Sequence, residues 1–201
     1  KINKIFDGFI YLQITRGTSA RNHQFPPSIC PNIVIFCFLK KDIKKLLNGV
    51  TVGISDDLRW KRCDIKSISL LPNLLEKQKA VEQGYYEIWQ TSGNYITEGS
   101  TSNAFIVTQD NIIKTHPSNN YILGGVTRDC VIEIAKTNNL SLEEKAFTIN
   151  ELKIAKEAFL SSTTAGIIPV TKVNNFKIAN GKKGDLTITI SKLYCQYIKE
   201  Q

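Results

Sequence analysis

One short basic segment carries the residue types that covalent chemistry needs. Residues 59–67 read Arg-Trp-Lys-Arg-Cys-Asp-Ile-Lys-Ser, and the second lysine of this segment is Lys66. A lysine amine can act as a nucleophile toward a carbonyl group when its surroundings favour the uncharged form. A lysine among other basic residues is more often a solvated surface cation, so the importance of Lys66 depends on what accompanies it. Candidates for an acid, an anion-binding turn and a hydroxyl cluster follow at Glu98, at residues 123–128 and at residues 161–164.

The residues around Lys66 resemble a known family motif. Residues 61–67, followed by Leu-Leu-Pro-Asn at positions 70–73, are similar to the lysine motif of the class IV pyridoxal-phosphate-dependent aminotransferases, and most similar to their D-amino-acid branch. The resemblance extends from about Tyr11 to the C-terminus. It implies an α/β (α+β) fold like that of D-amino-acid aminotransferases, with a large pseudo-barrel domain and the remnant of a smaller N-terminal domain. It also implies that Lys66 is the catalytic residue, which holds pyridoxal 5'-phosphate covalently and moves the proton of the substrate α-carbon.

The same resemblance assigns the rest of the cofactor site. Glu98 lies in a segment similar to the family's glutamate motif, whose carboxylate pairs with the pyridine nitrogen, and Leu123 would pack beneath the ring. The glycine turn at 124–125 opens a predicted helix, so the amides of Val126 and Thr127 can point at an anion. Without the resemblance, this turn would be an ordinary glycine turn and Glu98 an exposed strand-end glutamate. The predicted cofactor-binding residues are Lys66, Glu98, Leu123, Val126, Thr127, Ser162 and Thr163, the last two as hydroxyl donors to the phosphate or to its surroundings.

Substrate binding is assigned to residues 15–23, Thr-Arg-Gly-Thr-Ser-Ala-Arg-Asn-His, which resemble the D-amino-acid branch rather than the branched-chain one. Arg21 and His23 would bind the substrate α-carboxylate. The planar guanidinium of arginine binds a carboxylate through two parallel charge-assisted hydrogen bonds, which fix orientation as well as affinity. The resemblance therefore predicts transfer of an amino group from a D-amino acid to a 2-oxo acid, in a homodimer with sites near the interface. Two loop cations without a ligand are the alternative interpretation.

Three interpretations of the activity stay open. Family members have further sequence upstream of the matching part, which completes the small domain and supplies an arginine to the cofactor phosphate and a tyrosine to the carboxylate site. Residues 1–10 contain neither an arginine nor a tyrosine. The chain is therefore expected to be either an active transferase or a non-catalytic remnant of one. A lyase of the same superfamily, such as one acting on aminodeoxychorismate, is the third interpretation, against which Arg21 and His23 argue.

Composition narrows the class of partner. The formal net charge is +8, but the excess is concentrated in residues 1–41, where the cations are scattered among strand-like residues, so we expect no nucleic-acid partner. The longest uncharged apolar run, residues 33–39, is far shorter than the roughly 20 residues of a membrane helix, so we expect no membrane partner. The five cysteines are widely spaced, without a CxxC pair or a Cys/His pairing at metal spacing. We therefore expect no metal, and reduced thiols in the cytoplasm.

Periodicity and turn residues predict alternating strands and helices. An abrupt change in composition at residues 40–42 predicts a boundary between the C-terminal part of a small domain, residues 1–40, and a large cofactor-binding domain, residues 41–201. Lys66 falls between a predicted strand and a predicted helix, Thr127 can cap a helix, and Thr148 opens a capping box. The first two strands are expected to be adjacent, and two hairpins follow. The predicted strands are 9–18, 32–39, 50–55, 85–90, 95–98, 104–108, 112–115, 158–162 and 167–172, and the predicted helices are 70–83, 127–136, 148–158 and 186–198.

Overall fold

The chain divides into two compact units, Lys1–Asp42 and Ile43–Gln201. The computed structural model describes residues 3–40 and 42–200. The assignment of residues 1–40 to a small domain and of residues 41–201 to a large cofactor-binding domain stays a prediction.

The first unit is built on one antiparallel strand pair. Strand β1, Gly8–Thr15, pairs with strand β2, Asn32–Leu39, in register over the full length of both. Their β-branched and aromatic residues favour extended pairing, and Tyr11 stacks on Phe36 with 4.7 Å between ring centroids. The predicted adjacency of the two strands is confirmed. β1 ends before the predicted residue 18, because the chain turns at Gly17, whose φ is +107°.

The second unit combines one large mixed sheet with helices. In chain order its described elements are a 3-10 helix at Leu46–Asn48, then β3 (Val50–Asp56), α1 (Leu71–Glu82), β4 (Glu87–Ser92), β5 (Tyr95–Gly99), β6 (Asn103–Val107), β7 (Ile113–Thr115), α2 (Val126–Thr137), β8 (Leu142–Glu144), α3 (Ile149–Lys153), β9 (Glu157–Ser162), β10 (Gly166–Val173), β11 (Phe176–Lys177) and α4 (Asp185–Tyr197). The strand order is β5-β4-β3-β10-β9-β6-β7-β8, with β11 paired to β10. β3 runs parallel to β4 and β10. The predicted α/β class, with its barrel-like sheet, is confirmed.

Two hydrophobic clusters pack against this sheet. Side chains alternate between the two faces along a strand, so in β6 Ile106 belongs to one cluster and its neighbour Phe105 to the other. Phe105 stacks on Phe159 of β9 at 4.6 Å, and α2 and α4 add Val131 and Ile190 to the same cluster. Complete burial of such a side chain is worth about 1.5–3 kcal/mol. The central strands are therefore held by packing on both faces, and they fix the position of the residues at their ends.

One predicted helix start is wrong. The N-cap of α2 is Gly125, and Thr127 lies inside the first turn instead of capping it. The backbone changes from extended to helical at Gly125, whose φ of −73° and ψ of 133° are those of an N-cap residue. The predicted start was two residues too late because it relied on a side-chain cap that this helix does not use.

The predicted capping box of α3 is confirmed, but the predicted end of this helix is wrong. Thr148 Oγ1 accepts a hydrogen bond from Glu151 N at 3.1 Å, and the Glu151 carboxylate accepts one from Thr148 N at 2.8 Å. The helix ends at Lys153 rather than at residue 158. Lys156 N already donates to Val107 O, because the chain has joined the sheet by this point.

Helix α1 exposes the apolar residues whose spacing predicted it. Leu71, Leu74 and Leu75 are 66%, 60% and 61% exposed, whereas the buried residue of this helix is Ala80. The helix is followed, as predicted, by Gly84 in the left-handed region with φ +71°. The helical prediction is therefore right, although these leucines do not lie in the core.

Candidate active site

A cavity of about 760 Å³ lies in the second unit, where the Lys66 loop, the start of α2 and several strand ends meet. This size suits a small ligand, since such sites typically measure roughly 300–1,000 Å³. All seven residues predicted to bind a cofactor line it: Lys66, Glu98, Leu123, Val126, Thr127, Ser162 and Thr163. Arg59, Asn103 and Ser161 line it as well, although the sequence assigned them no role.

The two predicted substrate residues lie in the first unit. Arg21 and His23 belong to the segment between β1 and β2, and both are exposed. Within the described part of the chain, neither side chain makes a hydrogen bond or an ion pair. Both are therefore available to a ligand, and their part in substrate binding stays a prediction.

Lys66 lies in the loop between β3 and α1, as its sequence position predicted. Cys63 N donates to Asn120 O at 3.0 Å, and Arg62 pairs with Asp64 at 2.9 Å, so the start of this loop is held in place. Lys66 itself is exposed, as are most residues from 64 to 71. Lys66 is therefore accessible both to solvent and to a ligand in the cavity that it lines.

An irregularity in strand β5 aims Glu98 into the cavity. Between two paired positions of β4 and β5, β5 contains one residue more than β4. Neighbouring side chains of a regular strand point to opposite faces, and a bulge relaxes that alternation. Here the consecutive residues Thr97 and Glu98 are both buried, and both accept from the guanidinium of Arg59, Thr97 at 3.5 Å. The carboxylate of Glu98 therefore lies beside Thr97 rather than on the opposite face.

Arg59 joins two carboxylates beside the cavity. Its guanidinium donates to Asp57 from Nε at 2.9 Å and from Nη2 at 2.6 Å, and Nη1 donates to Glu98. Burial alone would lower the pKa of Arg59 and raise that of Asp57, but their mutual contacts outweigh it, so the Arg59 pKa is raised and the Asp57 pKa lowered. Burial raises the pKa of Glu98 to about 7, against the opposing effect of Arg59 and the Leu123 amide. The Arg59 guanidinium thus pairs with two buried carboxylates, and it donates two hydrogen bonds to Asp57 and one to Glu98.

Three donors hold the carboxylate of Glu98. Oε1 accepts from Arg59 and from Leu123 N at 3.0 Å, and Oε2 accepts from Asn103 Nδ2 at 2.9 Å. A carboxylate offers about four acceptor positions. One position on Oε2 therefore stays available to a donor in the cavity.

The start of α2 presents backbone amides to the same cavity. Its N-cap is Gly125, and no side chain from the described residues caps it. The first amides of a helix, here those of Val126 and Thr127, have no intrahelical acceptor. Arg128 is buried and donates to Glu144 at 2.6 Å, which fixes the first turn. This arrangement suits an anion, because the amides and the helix dipole act together.

A buried carboxylate behind the cavity wall orders three hydroxyl groups. Glu87 accepts from the hydroxyls of Ser100, Thr101 and Ser102, at 2.7 Å from Thr101 and 3.1 Å from Ser102. Each hydroxyl has a single proton to donate. The three side chains therefore present acceptor oxygens, and no hydroxyl protons, to a ligand in the cavity.

Ser161 is a polar residue that the sequence interpretation passed over. Its hydroxyl is buried and has no hydrogen-bond partner within the described residues, whereas Ser162 Oγ accepts from Ala165 N at 3.3 Å. Buried polar groups normally have a partner, so this hydroxyl is the group that a ligand in the cavity could satisfy. The hydroxyl run at 161–164 was recognised, but choosing among its members required the register of β9, in which Ser161 pairs with Asn103.

Neither a metal cluster nor a membrane helix occurs among the described residues. No group of three or more His, Cys, Asp or Glu side chains lies close enough together in residues 3–40 and 42–200 to hold a metal ion. In the same ranges no helix combines the length and apolar character required to span a membrane.

Known proteins are similar to this chain in both sequence and fold. Residues 1–173 match the family described as amino-transferase class IV. The chain is 43% identical over 187 residues to D-alanine aminotransferase of Bacillus licheniformis, an alignment that covers 92% of this chain and 66% of that protein. It is 42% identical over 200 residues to D-alanine aminotransferase of Staphylococcus aureus strain N315, covering 98% of this chain and 71% of that protein. The crystal structure of the Escherichia coli branched-chain amino acid aminotransferase matches with a TM-score of 0.81 at 26% identity, covering 92% of this chain and 64% of that one.

Proposed function

Because the chain belongs to the class IV aminotransferase family, we propose that it transfers an amino group from a D-amino acid to a 2-oxo acid. The observation that carries the proposal is the cavity that Lys66, Glu98 and the uncapped start of α2 line together. The family uses pyridoxal 5'-phosphate, and the identity of 42–43% with D-alanine aminotransferases supports the D-amino-acid substrate. The chain spans 66% of the length of the Bacillus licheniformis relative.

The charges of the cavity fit this cofactor. Asp57, Arg59 and Glu98 together carry one more carboxylate than cation, and burial raises the pKa of Glu98 to about 7, with a smaller contribution in the same direction from Asp57. A protonated pyridine nitrogen would supply the second cation and fill the remaining acceptor position on Glu98 Oε2. The phosphate would meet the amides of Val126 and Thr127, and the unpartnered hydroxyl of Ser161 offers a further donor. The donor and acceptor sets therefore match both ends of the molecule.

Three residues of the cavity would then have defined tasks. When bound, the cofactor supplies an electron-withdrawing ring that stabilises negative charge on the substrate α-carbon. Lys66 would provide the amine that holds the cofactor and the base that takes the proton from that carbon. Glu98, held by three donors, would carry the negative charge that pairs with a protonated ring nitrogen, because that cation would oppose the effect of burial on the Glu98 pKa. Leu123, which lines the cavity, would pack against the ring.

The substrate carboxylate is assigned to Arg21 and His23. Both side chains are exposed and unpaired within the described residues, as a site awaiting an anionic ligand requires. A guanidinium fixes the orientation of a carboxylate through two parallel bonds, and that orientation decides which face of the α-carbon is presented. The preference for D-amino acids follows from this orientation.

The proposal includes a homodimer. Ile68, Leu71, Leu74 and Leu75, on and before α1, are apolar and each at least 60% exposed, and the first three also line the cavity. Isolated exposed apolar residues are ordinary, but a contiguous group of this kind marks an interaction surface. A Leu74→Glu variant should therefore sediment as a monomer while the wild type sediments as a dimer. Ile154→Glu, at another exposed apolar position, is the matched control and should leave the dimer intact. If both variants sediment as monomers, or both as dimers, this surface is not the dimer interface.

The proposed location is the cytoplasm. All five cysteines, Cys30, Cys37, Cys63, Cys130 and Cys195, are free thiols in the structure. A reducing compartment keeps cysteines in this form.

The experiment that tests the proposed function is an absorbance titration of the purified, folded chain with pyridoxal 5'-phosphate, followed by addition of D-alanine or L-alanine. The expected result is saturable binding and a spectral change with D-alanine that L-alanine does not produce. Lys66→Ala should abolish the shifted absorbance of the covalently held cofactor, whereas Lys61→Ala, a change in the same exposed segment, should preserve it. Folded protein that never binds the cofactor would support the non-catalytic remnant, and binding without a response to either alanine, but with turnover of aminodeoxychorismate, would support a lyase.

A further inference from the structure

We infer that Asn103 is a positioning residue that holds the Glu98 carboxylate and the turn before α2 in one fixed frame. The inference rests on the proposed function, since it concerns how the site binds the ring nitrogen and the phosphate of the cofactor at the same time. Asn103 is the first residue of β6 and is buried. It pairs with Ser161 in the middle of the sheet, so its backbone is anchored in a central strand.

The side chain of Asn103 contacts both groups at once. Nδ2 donates to Glu98 Oε2 at 2.9 Å and to Leu123 O at 2.9 Å. Leu123 N in turn donates to Glu98 Oε1 at 3.0 Å. The three residues therefore close a ring of hydrogen bonds that joins β5, β6 and the turn before α2. Because each Nδ2 proton has one acceptor, the amide group has no rotational freedom left on this side.

Gly125 provides independent evidence for the same frame. Its φ of −73° is open to any residue, so backbone conformation does not explain why glycine stands at the N-cap. A Cβ atom at this position would overlap Asn103 Oδ1, whereas its next neighbour outside that side chain, Arg128 Cβ, would lie at an ordinary 3.7 Å. The carboxamide thus packs directly against the turn through Oδ1 while it binds Glu98 through Nδ2.

The frame sets the separation between an acid for the ring nitrogen and amides for the phosphate. A ligand that engages both ends gains from a fixed separation, because the second contact forms without a further loss of freedom. Ligands that use one end only gain nothing from it. Asn103 should therefore matter for pyridoxal 5'-phosphate and much less for pyridoxal or inorganic phosphate alone.

The test is a double-mutant cycle of Asn103→Ala and Gly125→Ala, read by dissociation constants for those three probes and by urea denaturation. Each single variant should weaken binding of pyridoxal 5'-phosphate by about tenfold or more, and change binding of pyridoxal or phosphate by less than about threefold. In the Asn103→Ala background Gly125→Ala should add little, because the atom it would strike is gone. Gly124→Ala is the matched control, since its Cβ would meet only Ser118 Oγ at 3.1 Å, and its effect should add to that of Asn103→Ala.

The outcomes separate this inference from the proposed function. Additive effects of Asn103→Ala and Gly125→Ala, on binding or on stability, would overturn the frame. Equal losses for all three probes would also overturn it, since a merely structural role predicts them. Wild-type protein that binds none of the probes would overturn the proposed function, and this inference with it. If Asn103→Ala does not fold, Asn103→Leu keeps the approximate side-chain size without adding a charge, removes the donor to Glu98 and to Leu123 O, and should reproduce the selective loss.

Discussion

Replacing Glu98 with glutamine should change how the stability of the cofactor-free protein depends on pH. Burial raises the pKa of this carboxyl from 4.5 to about 7. Between these values the folded protein keeps a proton on Glu98 that the unfolded chain has released. The contribution of Glu98 to stability is therefore fully present below about pH 4.5 and is lost as pH rises through about 7.

The magnitude follows from the two pKa values. A change from 4.5 to about 7 corresponds to on the order of 3 kcal/mol of unfolding free energy. Glutamine does not titrate, so Glu98→Gln lacks this component. Its amide also faces the donor of Asn103, which should cost about 1–3 kcal/mol at every pH. The prediction therefore concerns how the difference in unfolding free energy between the two proteins changes with pH, and not the size of that difference at one pH.

Urea denaturation of both cofactor-free proteins from about pH 5 to about pH 8 measures this slope. The advantage of wild type over Glu98→Gln should shrink by up to about 3 kcal/mol across that range. Asp57 does not obscure the result, because its pKa is lowered from 3.8 and it titrates below the range. Glu143→Gln, at an exposed position in β8, should follow the wild type. Parallel curves for wild type and Glu98→Gln would refute the reasoning.

Three further changes test the contacts that hold the first turns of α3 and α4, each by urea denaturation. Glu157→Ala removes the acceptor of Leu186 N, Thr187 N and the Thr187 hydroxyl at the start of α4, and should cost about 3 kcal/mol or more; an unchanged midpoint would contradict this. Gly184→Ala should destabilise the wild type, since its Cβ would overlap the Glu157 side chain, but much less so in the Glu157→Ala background, and equal losses in both would refute the contact. Thr148→Ala removes the side-chain half of the α3 capping box and should cost about 1 kcal/mol, which an unaltered stability would disprove.

Elements with a strong local signal were predicted correctly from the sequence. The hairpin of β4 and β5 turns at Gly93, whose φ of +59° is the conformation that its glycine suggested. The capping box at Thr148 is likewise a local pattern, and it opens a helix where predicted. In contrast, the three-residue β8 and the two-residue β11 were missed, because such short strands exist only through pairing with β7 and β10.

In the site, too, residues in local motifs could be predicted, whereas residues that act through contacts across the fold could not. Lys66 and Glu98 belong to motifs that can be recognised from neighbouring residues, and both line the cavity. Arg59 and Asn103 lie within or beside those same motifs, but their importance depends on contacts across the fold, such as Arg59 with Glu98 and Asn103 with Leu123. No local pattern reveals such contacts. The raised pKa of Glu98 has the same origin, because burial is a property of the folded chain.

The most direct test of the central claim is to identify which lysine holds the cofactor. The folded chain is saturated with pyridoxal 5'-phosphate, reduced with borohydride and digested, and the labelled peptides are identified by mass spectrometry. The account predicts stoichiometric label on Lys66, which lines the cavity, and only background label on Lys61. Label spread over Lys61 and other exposed lysines, with Lys66 no more modified than they are, would contradict it.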